Sequence, residues 1–261
     1  ALRVDAGVVG DEVGTLYGQG ALTLGGGVSF GRILVGNGVT ITNDGAGLDV
    51  AFLSGAGTLG VGACGALAVD ALQLTNQTLT VNSGTNAVTI AALSGNGTLQ
   101  LQTSGAVTIG DISAFTGILS LDNCGPVQIL GPSGDTVLSG LTVVGTALLS
   151  VPGATLRVGS LTGRGTLTVT NVLEVTDLWM TANLTVNEAG TGPLMLASIR
   201  GPGTLTLGRP YYAPVIALSG AQVVTLGLSN AVEQVSGSGT LNVPAGAFTI
   251  GGLALGGTVT F

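Results

Sequence analysis

Side chains able to do chemistry are scarce in this sequence. Its 261 residues include no histidine and no lysine, so all six cationic side chains are arginine. A Ser-His-Asp triad, a Cys-His pair and a His-ligated metal are thereby excluded. Without lysine there is neither Schiff-base nor Walker-type phosphate chemistry. Carboxylates remain. Two of them flanking a glycosidic bond can hydrolyse it, and the sequence offers Asp44 with Asp49 and Glu174 with Asp177. Neither pair lies in a stretch rich in the aromatics that sugar binding favours, so both read as surface charge on turns. Asp44-Gly45-Ala46-Gly47-Leu48-Asp49 has the composition of a calcium-binding Gly-Asp turn but occurs once, and reads as a turn with Asp as a local backbone acceptor. Cys64 and Cys124 lie far apart in the chain and form no disulfide framework; both are expected as small buried residues. No catalytic, cofactor-binding or metal-ligating residue is assigned, and the chain is not expected to be an enzyme.

Binding offers two places. Arg209-Pro210-Tyr211-Tyr212-Ala213-Pro214 holds two of the three tyrosines and reads as a protruding loop, with Tyr211 and Tyr212 as contact residues. Trp179, the one tryptophan, lies in Glu174-Val175-Thr176-Asp177-Leu178-Trp179-Met180 and reads as a packed or partly exposed corner residue.

The elements that must position these residues follow from one recurring phrase. Leu93-Ser94-Gly95-Asn96-Gly97-Thr98-Leu99-Gln100-Leu101 is its clearest copy. It returns at Leu53–Leu59, Leu161–Val169, Ile199–Leu207 and Val235–Val243, with weaker copies at Leu16–Leu24 and Leu130–Leu138. The leading glycines are Gly18, Gly55, Gly95, Gly131, Gly163, Gly201 and Gly237. They recur every ~37 residues, and a period in this range signals a repeat architecture. Gly-x-Gly lets the chain turn sharply, because glycine reaches positive φ without steric cost. Thr-Leu-x-Leu then alternates with period two, so Leu99 and Leu101 share one face and Thr98 and Gln100 the other. Each copy is strand, corner, strand.

Composition agrees. Glycine counts 47, charged residues make up 7% and aromatics 3%, while hydrophobic residues reach 45%. Abundant Val and Thr favour strand, and no amphipathic helix is evident. A net charge of −7 argues against nucleic acid, whose binding rests on phosphate neutralisation. No run resembles a membrane helix; Val243 to Phe261 is uncharged but broken by Pro244 and glycines.

Each such period holds about four short strands. Two solenoid coils per repeat or one propeller blade would both use that number, and seven repeats is a legitimate blade count. The near absence of aromatics favours a single all-β domain over residues 1–261, a parallel β-helix of thirteen or fourteen coils, with a seven-bladed β-propeller as the alternative. Residues 1–20, with Arg3, Asp5, Asp11 and Glu12, read as an irregular terminal layer or cap. Pro126, Pro132 and Pro152 are placed at corners.

The phrase, above all Leu93–Leu101 and Leu161–Val169, resembles the β-strand repeats of bacterial autotransporter passenger domains. That resemblance implies a right-handed parallel β-helix outside the cell, acting as an adhesin, fibre or stalk; the membrane barrel that ends such proteins is not recognisable here.

No charged residue follows Glu233. Residues 243–261 read as an uncapped coil in which Leu253, Leu255, Val259 and Phe261 present apolar surface. The expected partner is an identical subunit, joined head-to-tail into a homopolymer at the cell surface or beyond it. A surface adhesin is the alternative. An ice-binding face is weaker: Thr166/Thr168 and Thr204/Thr206 suit a threonine ladder, whereas Thr98/Gln100, Thr240/Asn242 and Thr58/Gly60 interrupt it.

Overall fold

The computed structural model describes residues 2–4, 9–10, 15–16, 20–24, 28–43, 47–61, 65–131, 135–151, 155–188, 194–207, 211–218, 223–225, 230–242 and 248–260. These fall into two compact units, Ala1–Ser133 and Gly134–Phe261.

In the first unit one coil shows how the sequence builds the fold. Leu67, Val69, Leu72 and Leu74 are buried in the strand Ala66–Leu74. Alternation breaks once, at Asp70-Ala71, where two successive residues stay out of the core. Strand side chains alternate strictly, so this extra residue rotates the inward direction and makes a corner. A turn through Thr75-Asn76-Gln77 makes the second corner, and the strand Thr78–Gly84 forms the third face with Leu79 and Val81 inward. Val88 then opens the next coil in parallel register with Leu67.

Every described pairing in this unit is parallel and joins one coil to the next. Residues of one kind thereby stack in columns. Leu22, Ile41, Leu59, Val81, Leu101 and Leu121 form one buried column. Phe30, Val50, Val69, Ile90, Ile109 and Ile129 form another. Burying each such side chain stabilises the fold by roughly 1.5–3 kcal/mol. The third corner carries a buried polar pair. Ser83 Oγ lies 2.6 Å from Thr103 Oγ1, and the Asn86 and Gly84 carbonyls are within 3.0 and 3.1 Å of the two hydroxyls, respectively. Neither hydroxyl is left without a partner, which removes most of the cost of burying them.

Leu2–Val4, Val9–Gly10 and Thr15–Leu16 are short strands in register with Leu22–Leu24, Ser29–Phe30 and Leu34–Val35, so these residues pair in parallel onto the coil that follows.

The second unit repeats the plan. Leu141, Leu161, Leu178, Ile199, Ile216 and Val235 are buried and stack in register, and Leu253 continues the column. Leu167, Val169, Leu205, Leu207 and Leu241 point inward as expected, while Thr166, Thr204 and Thr240 are only partly covered. Val243 lies outside the described residues.

The period of the sequence phrase has a packing cause. At the corner after the second face, Val35 pairs with Gly55, and Leu74 and Phe115 both pair with Gly95. In the second unit Val143 and Met180 both pair with Gly163, and Leu218 and Leu255 both pair with Gly237. Alternate coils therefore place a glycine and a large apolar residue at the same corner. A Cβ on Gly55, Gly95, Gly163, Gly201 or Gly237 would collide with the carbonyl oxygen of Val35, Leu74, Val143, Met180 or Leu218. Gly95 and Gly201 also have φ of 97° and 109°, which a side chain would strain. One sequence repeat is two coils because large and small alternate.

The chain is thus an all-β parallel β-solenoid. A propeller blade is a sheet of sequence-adjacent antiparallel strands, and no described pairing has that form. Pro126 does not sit in a turn but opens the strand Pro126–Gly131, a position where a missing N–H costs nothing to the ladder. Pro132 and Pro152 lie outside the described residues.

Candidate contact and assembly surfaces

Tyr211 and Tyr212 open the strand Tyr211–Leu218 and do not form a protruding loop. They pair in parallel with Leu194 and Met195. The alternation that makes this a strand is plain beyond them: Ala213, Ile216 and Leu218 are buried. The register passes from Tyr212↔Met195 directly to Val215↔Ser198, so Pro214 falls where a corner needs no ladder N–H.

Tyr212 lines a groove of about 520 Å³ on the first face of the second unit. Val137, Arg157, Glu174 and Met195 stand beside it, over small residues such as Gly159 and Ala197. Val137 is 59% exposed, an apolar side chain turned to solvent. Arg157 bridges Asp135 at 3.2 Å and Glu174 at 2.9 Å. All three groups are solvated, so these pairs fix orientation and add little stability. Tyr212 donates its hydroxyl to Glu233. That hydrogen bond, with burial and the negative charge of Glu233, raises the phenol's pKa, so the hydroxyl stays a donor.

Glu174 and Asp177 are each drawn to a different arginine. Glu174 faces Arg157, whereas Asp177 binds Arg200 and accepts from Ser198 Oγ at 2.7 Å. Burial opposes ionisation of Asp177, but the hydrogen bonds from Arg200 and Ser198 and the charge of Arg200 outweigh it and lower the pKa. Asp49 is exposed on the first face of the first unit, and Asp44 lies outside the described residues. Among the described residues no three His, Cys, Asp or Glu side chains gather as metal ligands. Cys124 is buried and unbridged; Cys64 lies outside the described residues.

Among residues 248–260 the expected apolar positions are covered unequally. Leu253 is 54% exposed, although Ile216 and Val235 above it in the same column are fully buried. Leu255 is half-buried. Val259 holds a strand position in register with Leu241, and Phe261 lies outside the described residues. Among the described residues no helix is long and apolar enough to cross a membrane.

Two features escaped the sequence reading. The threonine ladder is more continuous than the phrase suggested: Thr146, Thr166, Thr185 and Thr206 stack in register through successive coils. Its neighbouring column is mixed, with Leu148, Thr168 and Asn187. Trp179, expected at a corner, stands mid-face between buried Leu178 and Met180. No family model, curated protein or solved structure matches this chain.

Proposed function

We propose that this solenoid is a structural protein of the cell exterior that assembles head-to-tail into a surface fibre or filament. The observation that carries the reading is the parallel register itself, in which each coil pairs edge to edge with the next through the same apolar columns, a mode of contact that one chain can extend to another. Leu253, 54% exposed in such a column, is open to a contact of this kind. A contact of this kind is heterologous and propagates unless its rotation closes. The likeness of the repeated phrase to autotransporter passenger repeats supports an extracellular setting, and so does a surface with few charges. Sedimentation and negative-stain microscopy at neutral pH test the reading. Filaments or concentration-dependent oligomers are expected, and Leu253→Asp should disperse them by burying an unpaired charge. A monomer that stays monomeric across micromolar concentrations overturns it.

A second reading, a surface binding module, is favoured by the groove at Tyr212. Its volume is within the range of small-ligand sites. Pull-down or glycan-array binding that disappears in a Tyr211→Ala, Tyr212→Ala double variant would support it; negligible binding by both proteins would end it.

A further inference from the structure

We propose that the groove at Tyr212 binds an amphipathic organic cation, an ammonium group carried on an apolar chain or ring, which deepens the second reading of its function and rests on it.

Register builds the groove from two unlike columns. Val137 pairs with Arg157, Arg157 with Glu174, Glu174 with Met195, and Met195 with Tyr212. Successive coils lie roughly 4.8 Å apart, so these side chains form a ridge about 20 Å long down the solenoid. Two residues further along the first four strands, on the same face, stand Ser139, Gly159, Thr176 and Ala197. All four are small. A tall column beside a low one leaves the trough of about 520 Å³, a volume that suits a small molecule and not a folded partner. Val137 and Met195 turn apolar surface into it.

Charge gives the ligand its sign. Arg157 is the one cation that lines the groove, and it is already held by Asp135 and Glu174. Glu233, which accepts the Tyr212 hydroxyl, brings a third carboxylate to the far end. One guanidinium against three carboxylates leaves two negative charges uncompensated. An anion would have to displace a carboxylate from Arg157, whereas a cation meets unbalanced charge. The Tyr212 ring adds a face that attracts an ammonium group. A hydrocarbon arm gains by leaving water against Val137 and Met195. A bare metal ion would make no use of that apolar surface, and among the described residues no three carboxylates gather to ligate one. An amine or quaternary ammonium with an apolar body uses both features.

Met195 makes the groove visible. The chain has two methionines, and the other, Met180, is fully buried in the core. Isotopic labelling of the methionine methyl groups in the full chain therefore gives one resonance in the groove and one away from it. The probes are phenylbutylamine, phenylbutanol and phenylbutyrate, one apolar body with a positive, neutral or negative head at neutral pH. Saturable shifts of the Met195 methyl, with Met180 unmoved, are expected with the amine. Its Kd should be at least fivefold below that of the alcohol, and the acid should bind more weakly than either. Added salt should weaken the amine and spare the alcohol. Glu233→Gln should raise the Kd of the amine at least threefold. Arg157→Gln should lower it at least twofold by removing the competing guanidinium, where mere damage to the groove would raise it. Arg32→Gln, in the other unit, should leave it unchanged. Equal binding of amine and alcohol, preference for the acid, or weaker amine binding after Arg157→Gln would each overturn the proposal. If no probe moves Met195 while the double tyrosine variant abolishes capture in a pull-down or on a glycan array, the groove takes another class of ligand and only this assignment falls. Negligible binding in both assays ends the assignment and the second reading together.

Discussion

Leu74 of one coil stands directly opposite Gly95 of the next. The leucine is fully buried, and a methyl group on Gly95 would run into the Leu74 carbonyl. Gly95→Ala therefore faces two penalties, a strained positive φ and an overpacked corner. It should destabilise the protein by about 1–3 kcal/mol, read as a lower urea midpoint with an unchanged slope. A loss no larger than that of an exposed substitution would mean that the coils do not approach so closely.

Alternation within a strand predicts a contrast one residue apart. Leu167 is fully buried and Thr166 partly covered. Leu167→Ala should cost about 2–5 kcal/mol through lost burial and a cavity. Thr166→Ala removes a hydroxyl and methyl from the outer surface and should cost well under about 1 kcal/mol. Equal shifts of the two midpoints would contradict the inward and outward assignment.

Burial pushes the Cys124 thiol up to about 11, against the opposing effect of a hydrogen bond with the Thr103 backbone. The nucleophile is the thiolate. In a Cys64→Ser background, alkylation of Cys124 at pH 8 should run about a hundredfold slower than in the unfolded chain, before any steric protection is counted. The unfolded thiol ionises first as pH rises. This group's contribution to stability is therefore fully present below pH about 9 and declines as pH approaches 11. A folded-state alkylation rate matching that of the denatured protein would refute the burial.

The sequence carried the strands openly. Leu99 and Leu101 alternate with Thr98 and Gln100, and glycine at position 95 marks the corner, because both signals depend on neighbours in the chain. The other half of each repeat was harder to read. Leu74, Met180 and Leu218 occupy the corners of coils that lack the Gly-x-Gly phrase, and their role emerges only when the register sets them against Gly95, Gly163 and Gly237. Thr146 and Thr185 were missed as ladder members for the same reason: they belong to the coils between copies of the phrase. Tyr211 and Tyr212 were misplaced because Pro210 and Pro214 suggest a loop. Pro214 instead falls where the pairing passes over it, which local composition does not reveal. The exposure of Trp179 depends on the short Thr162 of a neighbouring coil and is likewise invisible along the chain.

The alternation of glycine with a large residue at one corner also restricts how such a chain can lengthen or shorten. Deleting a single coil between Val143 and Gly237 would bring two glycines, or two bulky side chains, face to face. The first arrangement leaves a void and the second a clash. Deleting two coils restores large against small at the new junction. Small length changes within a turn are absorbed locally. The step from Leu59 to its partner Val81 is longer than the step from Leu99 to Leu119, yet both pairs hold the same parallel register. Growth by duplication is therefore quantised: the heritable unit is the pair of coils, and an odd number of them is a packing defect.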